Sequence, residues 1–117
     1  MKEIKAYVRE VMLEQVISAL ADIDDIPGIA VVHLREYGHV QDGSLRRVKM
    51  AKLEIDVPES LATTVVDAIL ASARTGDGHP GDGKVFISDL REAIRISDGQ
   101  RNEAAVQISS KSGGPDE

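Results

Sequence analysis

Two strand–helix–strand patterns follow one another in this chain of 117 residues, and their order restricts the fold more than any other feature. Residues 4–8 alternate between apolar and polar side chains, which is the period of a half-buried strand. Residues 13–23 carry apolar side chains at helical spacing, and Pro27 and Gly28 form a turn after them. Residues 29–34 are apolar on both faces and rich in β-branched side chains, so they predict a central strand.

The second half of the chain repeats this order. Residues 53–57 alternate strictly and predict a strand, and Pro58 then opens a helix with an apolar stripe over residues 61–69. Residues 84–89 predict a further strand, and residues 93–96 alternate over a shorter stretch. The order β-α-β-β-α-β predicts an α+β, ferredoxin-like fold with both helices on one face of an antiparallel sheet. Because aromatic residues are so few, we expect another subunit to cover the other face.

Composition and charge exclude several functions. The net charge of −6, with no dense basic run, is atypical of a nucleic-acid-binding protein, and the absence of cysteine excludes disulfides and thiolate metal sites. The N-terminus does not resemble a secretory signal, and no apolar run approaches the roughly 20 residues that cross a bilayer. We therefore expect a cytoplasmic protein with no nucleic-acid partner and no direct membrane insertion. One domain is expected over residues 1–108, followed by a disordered polar tail over residues 109–117.

A glycine-rich segment over residues 73–84 has the composition of a phosphate-binding loop. Glycines let several backbone N–H groups converge on one anion, and Lys84 adds a positive charge at the end of the segment. Residues 78–84 match the first part of the P-loop pattern, but Val85 stands where that motif needs Ser or Thr, and the helix precedes the loop. The segment therefore predicts a phosphate or nucleotide loop of another kind, and a flexible connector is the alternative.

The side chains indicate neither catalysis nor a metal site. The chain has no cysteine nucleophile, no serine in a recognisable nucleophile motif and no carboxylate pair with acid–base spacing. His33, His39 and His79 lie on different predicted elements, so they lack the close spacing of a paired metal site. His39 and His79 are candidates for contact with phosphate or with a small anion such as bicarbonate. A phosphate-processing enzyme is the alternative to a regulatory protein without catalytic activity.

Several short motifs in the chain resemble the nitrogen regulatory P-II family. They comprise residues 1–6, 27–29, 52–55, 73–76, 81–86 and 93–96. The combination of Arg-Thr-Gly, then Gly-Asp-Gly-Lys and a strand, then Ala-Ile-Arg is specific, and the resemblance covers roughly residues 1–99. It implies a cytoplasmic homotrimer that binds ATP or ADP between subunits and docks on a transporter, enzyme or regulator through a long loop. That docking loop is expected at about residues 38–51, because residues 38–47 are polar and carry two glycines.

The resemblance also assigns site residues. The expected nucleotide-binding residues are Gly38, Lys52, Glu54, Gly81, Asp82, Gly83, Lys84 and Arg95. Residues 81–84 match the loop over the nucleotide phosphates, with the phosphates resting on backbone N–H groups, and Arg95 matches an arginine that reaches the phosphates from the neighbouring subunit. For Lys52 and Glu54 an ordinary exposed strand face explains the residues equally well. Arg46 and Arg47 predict contact with an acidic partner surface, and a solvated tip is the alternative.

Departures from the family pattern narrow the expected function. Ser97 replaces a second phosphate-binding arginine, which favours ADP or AMP over ATP. Val40 replaces a glutamine that helps to hold magnesium and 2-oxoglutarate, so neither is expected here. The docking loop is shorter and has no tyrosine to nucleotidylate, and residues 77–80 lengthen the glycine loop. These differences favour a client protein in inorganic carbon (bicarbonate or carboxysome) metabolism; a nitrogen-assimilation regulator, a metal-efflux-associated protein and a copper-tolerance-type trimer are the alternatives.

Overall fold

The computed structural model describes residues 1–108, and the predicted tail over residues 109–117 lies outside them. The helices and strands of these residues are β1 Lys2–Arg9, α1 Leu13–Ala21, β2 Ala30–His39, β3 Leu45–Val57, α2 Ala62–Ala73 and β4 Gly83–Asp89. The four strands form one antiparallel sheet in the order β2-β3-β1-β4. The predicted β-α-β-β-α-β order of an α+β, ferredoxin-like fold is thereby confirmed. No helix among residues 1–108 has the length and apolarity to cross a membrane.

The core lies between the two helices and one face of the sheet. The inward-facing residues of the two central strands alternate with exposed or half-buried ones, as the sequence predicts. They are Ile4, Ala6 and Val8 of β1 and Ala51, Leu53, Ile55 and Val57 of β3. From the helices, Val16, Leu20, Val65 and Ile69 are fully buried against them. Both helices therefore cover the same face, and the opposite face of the sheet is left largely open by residues 1–108.

The expectation of a central strand at residues 29–34 is wrong. Strand β2 pairs only with β3 and lies at the edge of the sheet, with most of its side chains exposed. The two apolar faces of this strand have different surroundings. Val31 packs against the core, whereas Val32 is 49% exposed on the open face. An apolar run on both faces of a strand is typical of central strands. In this chain it reflects one core face and one open, apolar face.

The expectation of a loop over residues 38–51 is also wrong. Strands β2 and β3 continue as a hairpin as far as the pair His39–Leu45, so only residues 40–44 form the turn. The Asp42 carboxylate accepts from the Ser44 N–H at 2.8 Å and from the Ser44 hydroxyl at 2.6 Å, which lowers the pKa of Asp42. Gly43 has a φ of +84°, a conformation that favours glycine in a tight turn. Gly38, by contrast, is an ordinary strand residue.

Candidate functional site

The glycine-rich segment folds around the carboxylate of Asp82. Its Oδ1 atom accepts from the Thr75 hydroxyl at 2.6 Å and from Arg9 Nε at 3.1 Å. Its Oδ2 atom accepts from the backbone N–H groups of Thr75 at 3.0 Å and His79 at 2.9 Å. These donors, the Thr75 hydroxyl foremost, hold the pKa of Asp82 far below its usual range. The carboxylate is therefore ionised, and its oxygens are occupied by the protein itself.

The ring and carbonyl of His79 complete this folded loop. His79 Nδ1 accepts from the Gly81 N–H at 2.9 Å and lies 3.0 Å from Arg9 Nη2. Because both partners are donors, Nδ1 is the acceptor in this arrangement. The Asp82 N–H donates to the His79 carbonyl at 2.8 Å, and the two side chains form a reciprocal capping box around a short 3-10 turn, Pro80–Asp82.

This arrangement changes the expected role of the backbone N–H groups. The sequence predicted that nucleotide phosphates rest on the N–H groups of residues 81–83. In this conformation the Gly81 and Asp82 N–H groups already have acceptors on His79, so neither is free for a phosphate. The reason is local, since residue 79 supplies both a side-chain acceptor and a carbonyl acceptor. Gly81 and Asp82 therefore shape the loop.

Gly83 lies where β4 makes its closest approach to β1. Its φ is +113°, and a Cβ atom placed there would lie 1.7 Å from the Tyr7 carbonyl oxygen. No side chain fits at that distance, so glycine is required for β4 to begin here. The next residue, Lys84, pairs with Tyr7 in the sheet register.

Lys84 belongs to a row of side chains on the open face of the sheet. Tyr7 pairs with Lys84 on one side and with Lys52 on the other, so the two lysines flank it roughly 10 Å apart, which is two strand spacings. Lys52 Nζ lies 3.0 Å from Glu54 Oε1, and that hydrogen bond raises the pKa of Lys52. The Tyr7 ring packs edge-on against Phe86 with centroids 5.9 Å apart. This face therefore combines two cations with an aromatic pair.

Five of the predicted residues line two grooves beside this row. One groove of about 520 Å³ contains Gly38, Gly83 and Lys84 together with Tyr7, Glu36, Tyr37, Pro80 and Phe86. The other, of about 320 Å³, contains Gly38, Arg46 and Gly81 together with Arg9, Glu36, His39, Val40, Val48, Met50, His79 and Pro80. Gly38 lines both, so the base of the hairpin meets the glycine loop here. Arg47, the second predicted docking residue, lines neither groove and is exposed on the hairpin.

Glu54 and Arg95 lie outside both grooves. Glu54 lines a separate groove of about 850 Å³ with residues from 26–30, 93–94 and 105–108. The Arg95 guanidinium donates to Asp98 Oδ2 at 2.9 Å and to the carbonyls of Ala104 at 2.5 Å and Gln107 at 3.0 Å. Within one chain, therefore, Arg95 holds the segment that follows β4 and does not meet Lys84 in either groove.

Sequence reasoning missed the role of Arg9. This residue ends β1 and connects it to Asp82, 73 positions away, and to the His79 ring. A lone arginine at the end of a strand has no local pattern that reveals so distant a partner. Its position on the open face, by alternation with Tyr7, is the one signal that was available.

The histidines do not come together in a cluster of metal ligands. His33 Nδ1 lies 3.4 Å from Glu10 Oε1, whereas His79 belongs to the glycine loop. Across residues 1–108, no three side chains of His, Cys, Asp or Glu approach one another closely enough to hold a metal ion.

Comparison with known proteins gives one consistent result. The family model for nitrogen regulatory protein P-II matches residues 1–100. Nitrogen regulatory protein P-II of Nostoc punctiforme is 37% identical over 116 residues, which cover 91% of this chain and 100% of that protein. Nitrogen regulatory protein P-II 1 of Escherichia coli is 34% identical with the same coverage. The crystal structure of Arabidopsis thaliana PII bound to citrate has a TM-score of 0.76 and 33% identity, covering 92% of this chain and 91% of that chain.

Proposed function

The chain belongs to the nitrogen regulatory protein P-II family, and on that premise we propose that it is a homotrimer that senses an adenine nucleotide and regulates a partner protein. P-II proteins are regulatory signal-transduction proteins, so the chain is not an enzyme.

The observation that carries the proposal is the groove shared by Gly38, Gly83 and Lys84. These residues come from two segments that are distant in sequence, and the resemblance assigns both segments to the nucleotide. The groove has a lysine, an aromatic ring at Tyr7 and room for part of a nucleotide, which is the chemistry that phosphates and a base need. Binding of a small effector is further supported by the Arabidopsis relative, which was crystallised with citrate.

Arg95 favours a site shared between subunits. Its guanidinium has five N–H donors, of which the contacts to Asp98, Ala104 and Gln107 use three. The Nε–H and one Nη1–H remain, which is sufficient for two hydrogen bonds to a phosphate without releasing the chain's own segment. Because Arg95 does not line the groove of its own chain, we propose that a neighbouring subunit supplies it.

The open face of the sheet supports a trimer. Val32 and Phe86 are 49% and 52% exposed on this face, although both are large apolar residues. Ile96, beyond β4, is fully exposed. Burial of such residues is favourable by about 25 cal/mol per Å² of apolar surface, and further copies of the chain offer the required complementary surface.

The hairpin is the proposed partner-docking element. Its tip is held by local contacts, and Arg46 and Arg47 present permanent positive charge on the hairpin.

We propose a client in inorganic carbon metabolism, because Val40 lines the groove at the hairpin base and its side chain offers no atom to coordinate magnesium or 2-oxoglutarate. A nitrogen-assimilation client is the second candidate, and the names of the relatives favour it.

Calorimetric titration of ATP, ADP and AMP into the purified protein tests the proposal, with and without 2-oxoglutarate and bicarbonate. We expect saturable binding of ADP or AMP that does not respond to 2-oxoglutarate. A response to bicarbonate supports the carbon client, and a response to 2-oxoglutarate supports the nitrogen client.

Variants locate the site in the same experiment. Lys84→Ala and Arg95→Ala each weaken ADP binding by about tenfold or more, since each removes a charge-assisted contact. Lys49→Ala and Arg91→Ala, which change exposed residues outside the grooves, leave it unchanged. Circular dichroism and the mass in solution are measured first, because Arg95 also holds residues 98–107. Unchanged ADP affinity in both site variants contradicts the assignment.

A further inference from the structure

A cavity on the helix side of the sheet lies behind the glycine loop. It is bounded by the C-terminal end of α2, the start of β4 and residues 78–79, and its volume is about 220 Å³. Pockets for drug-sized ligands begin at about 300 Å³, so this one fits a molecule of small-metabolite size. Tyr7, Gly83 and Lys84 line both this cavity and one of the grooves proposed for the nucleotide, so the two sites adjoin each other.

One part of the cavity wall is apolar, and Lys84 adds a second cation to the lining besides Arg74. Val8, Ile69, Leu70, Ala73 and Val85 line the apolar part, and all except Leu70 are buried or half-buried in the core. Leu70 is 44% exposed, so part of its apolar side chain faces water. A short hydrocarbon chain placed in the cavity would remove that surface from water.

Arg74 supplies positive charge at the mouth of the cavity. It caps the C-terminus of α2 in an extended conformation, and its aliphatic stem lies beside Gly78, where an added Cβ would be 3.7 Å from Arg74 Cδ. Among residues 1–108 its guanidinium has neither an ion-pair partner nor a hydrogen bond to another side chain or to the backbone. The end of a helix carries roughly half a negative elementary charge, which is less than the full charge of Arg74. The mouth therefore has a net positive charge.

The one acidic residue of the lining does not cancel this charge. Asp82 is ionised, but its four hydrogen-bond donors include the Arg9 guanidinium, which compensates it directly. Its carboxylate oxygens already accept hydrogen bonds, so they neither bind a ligand nor strongly repel an anionic one.

We propose that this cavity binds a small organic anion that has a short apolar body and one terminal carboxylate. The apolar body lies against Leu70, Ala73 and Val85, and the carboxylate pairs with Arg74 at the mouth. Neither feature suffices alone: the cavity is too small for strong apolar binding, and an exposed ion pair contributes about 1 kcal/mol or less. The pair of features makes the site selective for amphipathic anions over inorganic ones.

Hexanoate is the probe, and hexanol and acetate are its matched controls, since the first keeps the chain and the second keeps the charge. Each is titrated into the ¹⁵N-labelled full chain, and amide shifts are followed. We expect saturable shifts at Gly78, His79 and Val85 with hexanoate, and much weaker binding of both controls. The absence of saturable shifts at these amides, or equal affinity for hexanoate and hexanol, overturns the proposal.

Two variants test the two halves of the site. Arg74→Gln weakens hexanoate binding by about two- to fivefold, as expected for an exposed ion pair, and leaves hexanol binding unchanged. Ala73→Leu fills the cavity and removes the binding of both ligands. Arg47→Gln, which changes an exposed arginine far along the chain, serves as the control and has no effect. If Ala73→Leu fails to fold, the result with Arg74→Gln decides alone: unchanged hexanoate affinity overturns the proposal.

Discussion

The glycine loop, residues 75–84, and the hairpin turn, residues 40–44, are both short, polar and glycine-bearing, yet they are held in opposite ways. The loop folds around Asp82, whose carboxylate accepts from four donors, one of them 73 positions away on β1. The turn folds around Asp42, whose carboxylate accepts only from Ser44, two positions away. Long-range contacts therefore hold the glycine loop against the sheet, whereas the hairpin turn is held only by contacts between its own residues.

This difference suits two different tasks. In the proposed function, a loop fixed by long-range contacts holds Gly83 and Lys84 in place before a ligand arrives, which lowers the cost of ordering on binding. Arg46 and Arg47 follow the locally held turn at the start of β3, where, in the proposed function, the hairpin adapts to a partner surface. Glycine content alone does not distinguish the two cases, whereas the sequence distance of the carboxylate's partners does.

The largest expected effect comes from exchanging the glycines. Gly83→Ala places a Cβ atom 1.7 Å from the Tyr7 carbonyl oxygen, so β4 must move away from β1 and the chain loses much of its stability. Gly43 has a φ of +84° but open space around it. Gly43→Ala therefore lowers the free energy of unfolding by only about 1–2 kcal/mol, the cost of a non-glycine residue in the left-handed conformation. Thermal and urea unfolding measure both. Similar losses in the two variants would remove the contrast between the regions.

The next effect comes from the two carboxylates. Asp82→Asn leaves one side-chain oxygen to accept hydrogen bonds and adds an NH₂ group that faces donors, so the loop loses about half of its contacts. Asp42→Asn is tolerated, because asparagine makes the same local turn. We expect Asp82→Asn to lower the unfolding midpoint at least twice as far as Asp42→Asn, and to weaken ADP binding. An equal change in both midpoints would show that the Arg9 link adds nothing.

The strand and helix periods were predictable because they are local. The alternation in β1 and β3 and the apolar stripes of both helices follow directly from burial against one core. The edge position of β2 was not predictable from its own residues, since an apolar open face and a buried face produce the same run. The hairpin was missed because a glycine in the sequence does not by itself indicate a turn. Gly38 pairs within a strand, and only Gly43 adopts the turn conformation.

The residues of the candidate site were named from sequence, but their contacts could not be predicted. Gly38, Gly81, Gly83 and Lys84 were named from sequence and lie along two adjoining grooves. The internal use of the Gly81 and Asp82 N–H groups was not visible, because it depends on the orientation of the His79 ring and on Arg9. The C-terminal contacts of Arg95 are likewise a matter of side-chain geometry, which spacing does not determine.

A smaller effect separates the arginines of the two regions. Arg9→Gln removes the bond to Asp82 and the contact with His79, and about 1 kcal/mol of stability with them. Arg46→Gln and Arg47→Gln remain within about 0.5 kcal/mol of the parent chain, as exposed substitutions usually do. Urea unfolding of the three variants measures this. A loss with Arg47→Gln as large as with Arg9→Gln would show that the hairpin is also tied to the fold.

The smallest expected effect on stability is that of lowering the pH. Hydrogen bonds lower the pKa of both Asp82 and Asp42 in the folded chain, and Asp82, with four donors, is lowered further. A carboxylate with a lowered pKa stabilises the fold at every pH above its unfolded value of about 3.9, and this contribution is lost as the pH falls through the folded value. Between neutral pH and about pH 5, neither region should therefore change through these groups.

Carboxyl ¹³C shifts followed by NMR from neutral to acidic pH measure the difference directly. On acidification Asp42 should titrate first, and Asp82 should remain ionised at the lowest pH at which the chain stays folded. His79→Asn is the control background, since it keeps an acceptor for the Gly81 N–H and removes the ionisable ring from the loop. If Asp82 titrated together with Asp42 in that background, its four donors would not be bound in solution, and the glycine loop would be as loosely held as the hairpin turn.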